Sequence, residues 1–199
     1  EATRVADRGP ADAFICPNDL VVAKDGSIYV TDTNVFSAAP QPSGKTFIWR
    51  IGPTGAVTPV WQGTTLSFPN GITLSPDGAT LYFNDTYADT VSSASINADG
   101  SLSNVRVIAA LPHTRTDPCD ACPDGMKVDV AGNLFVATRG GVRVFKPDGT
   151  PWGVLAAPHV WNLAFGGPAR TTLYLTAPDL GLYAITLQHP GVDAVALPP

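Results

Sequence analysis

This sequence predicts an all-β fold, specifically a β-propeller, and three observations carry the prediction. One hairpin-sized motif recurs four times along the chain. Each copy keeps a polar residue, a turn and an aromatic residue at matching offsets. Gly and Pro, nineteen of each in 199 residues, punctuate the chain too densely for long helices.

The first copy, PNDLVVAKDGSIYVTD (17–32), opens on Asn18, turns at Asp25-Gly26 and returns through Tyr29. The second, PNGITLSPDGATLYFND (69–85), has Asn70, Asp77-Gly78 and Tyr82 in those places. The third, PDGMKVDVAGNLFVAT (123–138), has Asp124, Ala131-Gly132 and Phe135, and the fourth, WNLAFGGPARTTLYLTA (161–177), has Asn162, Pro168-Ala169 and Tyr174. Glycine supplies the positive φ that a tight turn demands between runs rich in Val, Ile, Leu and aromatics, the pattern of a β-hairpin. A second turn follows three of the copies, PTG at 53–55, NADG at 97–100 and KPDG at 146–149, so each unit is expected to hold four strands. The polar residues lie 52, 54 and 38 positions apart, which brackets the size of a propeller blade.

The reading is one propeller domain over 1–199, with repeats beginning near 17, 69, 123 and 161. TRVADR (3–8) reads as the outer strand of an earlier blade, so the domain is expected to be incomplete at its N-terminal side. An unclosed ring would expose apolar sheet faces to water. Closure by further blades, by self-association or by a second chain is therefore expected.

Composition narrows the function classes. The chain is 44% hydrophobic and 15% charged, ample for a packed core, and its net charge of −5 argues against a nucleic-acid partner. It has no apolar run of eighteen residues, so no membrane-spanning helix is expected; the reading is a soluble protein, its compartment left open. PSGKT (42–46) lacks the first glycine of a phosphate loop, and the chain has no G-x-S-x-G elbow, no H-E-x-x-H and no Trp-Asp pair.

In a propeller the innermost strand of each blade lines the central channel, so one repeat position converges on the axis from every blade. Asn18, Asn70 and Asp124 occupy that position. Singly, Asn or Asp beside Pro or Gly is an ordinary turn former; three in register on channel-lining strands favour a site. Amide and carboxylate oxygens are hard donors, suited to a divalent cation, Ca²⁺ first, with Zn²⁺, Mg²⁺ or Mn²⁺ as alternatives. One carboxylate leaves the set short of charge, so waters must fill the shell. Asn162 shares the register but stands between Trp161 and Leu163 rather than Pro and Gly, and is read either as pocket wall, with Trp161, or as a structural residue. His113 and Arg115, in the connection LPHTRTDPCDAC (111–122), and His159 are further candidates for the pocket rim.

These motifs resemble the SMP-30/gluconolactonase/luciferin-regenerating-enzyme-like family, on CPNDLVVAKDGSIYVTD, FPNGITLSPDGATLYFNDT, PDGMKVDVAGNLFVATRGGVRVFKPDGTPWG and NLAFGGPARTTLYLTA, which together span nearly all of the chain. The resemblance implies a six-bladed propeller with a divalent cation, usually calcium, in its channel, and hydrolysis of lactones, with organophosphate cleavage in relatives. It implies metal ligation by Asn70 and Asp124 with Asn18 on or beside the metal. It also implies a Glu from the first blade, for which Glu1 is not in a matching context. The expected reaction is attack of water on a small-molecule lactone, with Asp124 as general base. A non-catalytic binding scaffold with an incomplete metal site and an organophosphate hydrolase are the alternatives.

Cys16, Cys119 and Cys122 form one C-x-x-C without a second pair at zinc-site spacing, so structural zinc is not expected. Pairing of Cys16 with Cys122, or of Cys119 with either, is left open. Asn84 begins a formal glycosylation sequon, NDT.

Overall fold

The computed structural model describes residues 3, 5–6, 14–33, 45–64, 67–111, 121–178 and 181–192. Among these residues stand fifteen strands and no helix, in four antiparallel sheets arranged as a β-propeller. The first blade holds β1 (Pro17–Val22), β2 (Ile28–Asp32), β3 (Phe47–Ile51) and β4 (Val57–Gln62), paired in that order. The second holds β5 (Pro69–Leu74), β6 (Thr80–Asp85), β7 (Thr90–Ile96) and β8 (Leu102–Ala110). The third holds β9 (Met126–Val128), β10 (Leu134–Thr138), β11 (Gly141–Phe145) and β12 (Pro151–Leu155). The fourth shows three strands among the described residues, β13 (Asn162–Gly166), β14 (Thr172–Ala177) and β15 (Gly181–Thr186). Of TRVADR, Thr3, Val5 and Ala6 are described and stand in no strand, and the other three residues lie outside the described residues.

The first hairpin of each blade turns as its sequence demands. Gly26, Gly78 and Gly132 sit at φ 85°, 77° and 87°, each donating its N–H to the carbonyl three residues back. Preceding carboxylates brace the turns: Asp25 accepts from Ser27 N at 2.9 Å and Asp77 from Ala79 N at 3.0 Å. In the fourth blade the left-handed place falls to Arg170, at φ 54°, whose guanidinium donates to the carbonyls of Gly191 and Val192.

Each pair of neighbouring blades encloses its own apolar core. Tyr29 and Ile48 of the first blade meet Ile72, Leu81 and Phe83 of the second. Tyr82 and Val91 of the second meet Met126, Leu134 and Val136 of the third. Phe135, Val142 and Val144 of the third meet Leu163, Leu173 and Leu175 of the fourth. The repeated aromatic is the anchor of every core, and burying such a ring contributes about 1.5–3 kcal/mol. Tyr29, Tyr82 and Phe135 are only 1%, 5% and 5% exposed, whereas Tyr174, at the same repeat position in the last blade, is 38% exposed. Among the described residues no further sheet covers that face.

Cys122 is disulfide-bonded and Cys16 is free, so a bridge from Cys16, to Cys122 or to Cys119, is not the pairing adopted. Asn84 is completely buried, which removes the glycosylation reading.

Candidate functional site

The inner strands β1, β5 and β9 lie side by side, and at the entry of each the ladder is broken in the same way. In the first blade Leu20 faces Val30 but Pro17 faces Asp32, so Asn18 and Asp19 together oppose Thr31. In the second, Ile72 faces Phe83 and Pro69 faces Asp85, so Asn70 and Gly71 oppose Asn84. In the third, Asp124 N donates to the Ala137 carbonyl and Ala137 N donates to that of Gly125, setting two residues against one again. These are three β-bulges at one repeat position, a device that re-aims a side chain at the end of a strand. The fourth blade has none: Asn162 pairs squarely with Thr176. That register separates Asn162 from the three other polar residues. It also explains why Asp124 precedes β9 instead of opening it.

The residues opposite the bulges tie successive blades together. Thr31 Oγ1 donates to the Asn70 carbonyl at 2.8 Å, and Asn84 Nδ2 donates to the Asp124 carbonyl at 2.6 Å. The bulge glycines make room for this approach. A Cβ on Gly71 would collide with the Asp124 carbonyl and the Asn84 amide, and one on Gly125 with the side chain of Asn162.

Asn70 and Asp124 are thereby brought together. The Asn70 amide hydrogen-bonds the Asp124 carboxylate and donates from Nδ2 to Thr86 Oγ1 at 3.1 Å. Its oxygen, Oδ1, is buried without a hydrogen-bond partner among the described residues. An unsatisfied buried acceptor costs about 1–3 kcal/mol, which is retained where a ligand relieves it. Asp19 carries a second carboxylate into the site. It stands where the next two blades have glycine, and it accepts from Leu20 N at 2.8 Å and, across to β5, from Ile72 N at 3.3 Å. Asn18 is exposed at the start of β1.

Electrostatics separates Asp124 from the turn carboxylates. Hydrogen bonds hold Asp25, Asp77, Asp99 and Asp148 below the usual carboxylate range. Asp124 moves the opposite way: burial first, then the charge of Asp19, push it up to about 6, against the lowering by the Asn70 amide and the adjacent Gly125 N–H. Asp32 is also raised by burial, yet Ile15 N, Cys16 N and Trp49 Nε1 occupy its oxygens.

The raised value has a measurable consequence in cation-free buffer. Between about pH 4 and pH 6 the folded chain holds a proton on Asp124 that the unfolded chain has released, so this residue makes stability fall as pH rises. Asp124→Asn removes the slope. Relative to wild type, the variant gains on the order of 2 kcal/mol across that window, after discounting for solvent screening. Urea denaturation across the range checks this, and parallel pH profiles for the two proteins would sink it.

At the rim, His159 meets Trp161 edge-on with ring centroids 6.2 Å apart, and burial followed by the charge of Arg139 lowers the imidazole pKa. Trp161 and Asn162 are exposed, and the Trp161 carbonyl accepts from Gly125 N at 2.9 Å. His113 and Arg115 lie outside the described residues. Sequence reasoning missed Asp19, Asn84 and Thr86; the available signal was polar residues interrupting the apolar runs at repeat-equivalent places.

The donor set fits a hard divalent cation. Among the described residues no group of three or more His, Cys, Asp or Glu side chains that could hold a metal ion is assembled. The available oxygens are those of Asn18 and Asn70 with the carboxylates of Asp124 and Asp19, and the buried Asn70 Oδ1 needs a partner.

A family model, the SMP-30/gluconolactonase/LRE-like region, matches residues 1–178. A gluconolactonase of Zymomonas mobilis is 32% identical over 196 residues, covering 87% of this chain and 51% of the relative. A pentonolactonase of Haloferax volcanii is 30% identical over 164 residues, covering 80% and 52%. Among solved structures, a gluconolactonase of Xanthomonas campestris superimposes with a TM-score of 0.75 at 29% identity, covering 94% of this chain and 60% of that one. The chain thus spans about half the length of the curated relatives it matches.

Proposed function

The chain belongs to the SMP-30/gluconolactonase/LRE-like family, and from that premise we propose that it hydrolyses lactone-type cyclic esters at a divalent-cation site formed by Asn70, Asp124 and Asn18. The observation that carries the proposal is the half-buried Asp124 carboxylate beside an Asn70 amide whose buried oxygen has no partner. Relatives named for gluconolactone and pentonolactone hydrolysis point to sugar-derived lactones as the substrate class.

Asn70 Oδ1, one oxygen of Asp124 and Asn18 would hold the cation, and Asp19 adds a second negative charge close by. A cation held there would supply Lewis acidity at the lactone carbonyl and positive charge where negative charge develops on its oxygen. Asp124 orients the attacking water with its remaining oxygen and accepts its proton. That proton then passes to the departing ring oxygen, leaving a hydroxy acid. A general base works best with a pKa near the operating pH, and a cation depresses the pKa of a carboxylate it binds. Burial and the Asp19 charge act against that depression by raising the pKa of Asp124. Trp161 and Asn162, exposed beside the third inner strand, form the wall against which the lactone ring rests.

The proposal predicts that this chain hydrolyses a simple aldonolactone, that a chelator stops the reaction, and that Ca²⁺ restores it. A pH-stat assay following acid release reads all three. Hydrolysis at the uncatalysed rate, or hydrolysis indifferent to chelator, overturns the proposal.

A further inference from the structure

Thr86, like Asn84, bonds across the two blades that carry Asn70 and Asp124. It directly follows β6 and is buried, 9% exposed as a residue. Its hydroxyl donates to the Pro123 carbonyl of the third blade at 2.6 Å and accepts from Asn70 Nδ2 of the second at 3.1 Å. A hydroxyl has one proton. With that proton spent on Pro123, Thr86 can only accept from Asn70, and of the two ends of the amide only the nitrogen can donate. The direction of this O–H bond, together with the Asp124 carboxylate that takes the other amide N–H, sets which way the Asn70 amide lies, and Oδ1 is the end left without a partner.

The repeat supplies its own control. Thr33 directly follows β2 as Thr86 follows β6, and it is fully buried. Its hydroxyl bonds the Cys16 carbonyl at 3.3 Å, in the segment that leads into β1 of the same blade. Both threonines also donate their backbone N–H to the segment before their own inner strand, Thr33 to Cys16 and Thr86 to Phe68. Only the Thr86 hydroxyl crosses to the next blade and meets the amide of a proposed ligand.

We propose that Thr86 is a positioning residue, whose hydroxyl locks the Asn70 amide with its nitrogen occupied and its oxygen offered to the cation, in fixed relation to the Asp124 segment. The inference rests on the cation-site reading above. Thr86→Val keeps the shape and removes the lock. The amide then keeps only its bond to the Asp124 carboxylate, is held less firmly, and presents N–H groups to a cation part of the time. Loss of such an outer partner weakens metal affinity by about 10–100-fold.

The test uses the whole chain as wild type, Thr86→Val, Thr86→Ser and Thr33→Val, with circular dichroism as the check on folding. Calcium titration calorimetry is expected to show Thr86→Val weakened by about 10–100-fold, Thr86→Ser close to wild type and Thr33→Val close to wild type. Calcium binding by Thr86→Val equal to wild type overturns the proposal, and so does an equal loss in Thr33→Val, which would reduce Thr86 to a packing role. Side-chain amide NMR of Asn70 in calcium-free buffer provides a second readout. Slow exchange of its NH₂ protons in wild type and Thr86→Ser, with fast exchange in Thr86→Val, supports the lock, whereas equal rates overturn it. Wild type that binds no calcium refutes the cation-site reading, and the amide exchange rates still decide the role of Thr86.

Discussion

Replacing Asp124 by Asn is expected to lower kcat/KM for lactone hydrolysis by about 10³-fold or more while leaving the propeller folded. The substitution keeps the shape of the side chain but removes the proposed base and the negative charge of the proposed cation site. The effects on rate and on calcium affinity should appear together, because in the proposed mechanism one carboxylate serves both. Stability moves the other way. Asp124 is a half-buried carboxylate held at about 6, so in cation-free buffer at neutral pH the folded protein bears an uncompensated cost that Asn relieves. Loss of activity with a gain in stability is the signature of a functional carboxylate. A turn carboxylate such as Asp77, whose hydrogen bonds from Ser75 and Ala79 hold its pKa down, should show no such gain. Full lactonase activity in Asp124→Asn removes the proposed role, and a stability loss resembling that of Asp77→Asn would return Asp124 to the ranks of turn formers.

Gly71→Ala is expected to destabilise the chain by about 3 kcal/mol or more, at the upper end of what overpacking costs. The added methyl has no flexible neighbour to displace. It meets the Asp124 carbonyl, the Met126 backbone nitrogen and the Asn84 amide, all fixed by the contact between the second and third blades. Relief requires those blades to part, and parting them breaks the 2.6 Å bond from Asn84 to Asp124 and the packing of Met126. Calcium affinity should fall with stability, since the displaced segment carries Asp124. Gly153→Ala is the matched control: Gly153 lies in β12 with open space where a Cβ would go, and its substitution should be near neutral. Urea denaturation of the two variants against wild type measures the difference. A Gly71→Ala protein as stable as Gly153→Ala would mean that the inner strands are not in the close contact described.

The spacing of apolar runs, turn glycines and aromatics was legible without coordinates because each blade is a local unit, its hairpins closed by residues only a few positions apart. That is why the four-fold register, the all-β class and the shared position of Asn18, Asn70 and Asp124 could be read from the chain. The same locality hid the rest. Arg170 in the left-handed turn position defies the glycine rule because guanidinium bonds to Gly191 and Val192 hold it there, more than twenty residues away.

By itself the sequence determined the architecture, the inner-strand position of the polar residues and the family motifs, since hydrophobic periodicity and turn chemistry act over one hairpin. Only the tertiary structure decided which of those residues work together. The bulges that set Asn18, Asn70 and Asp124 apart from Asn162 depend on how two strands pair. The raised pKa of Asp124 depends on burial and on Asp19 from another blade, and the Asn70–Thr86–Pro123 relay spans two blades. Pairing register, burial and inter-blade hydrogen bonds are properties of surfaces brought together by folding, and a linear pattern does not encode them residue by residue.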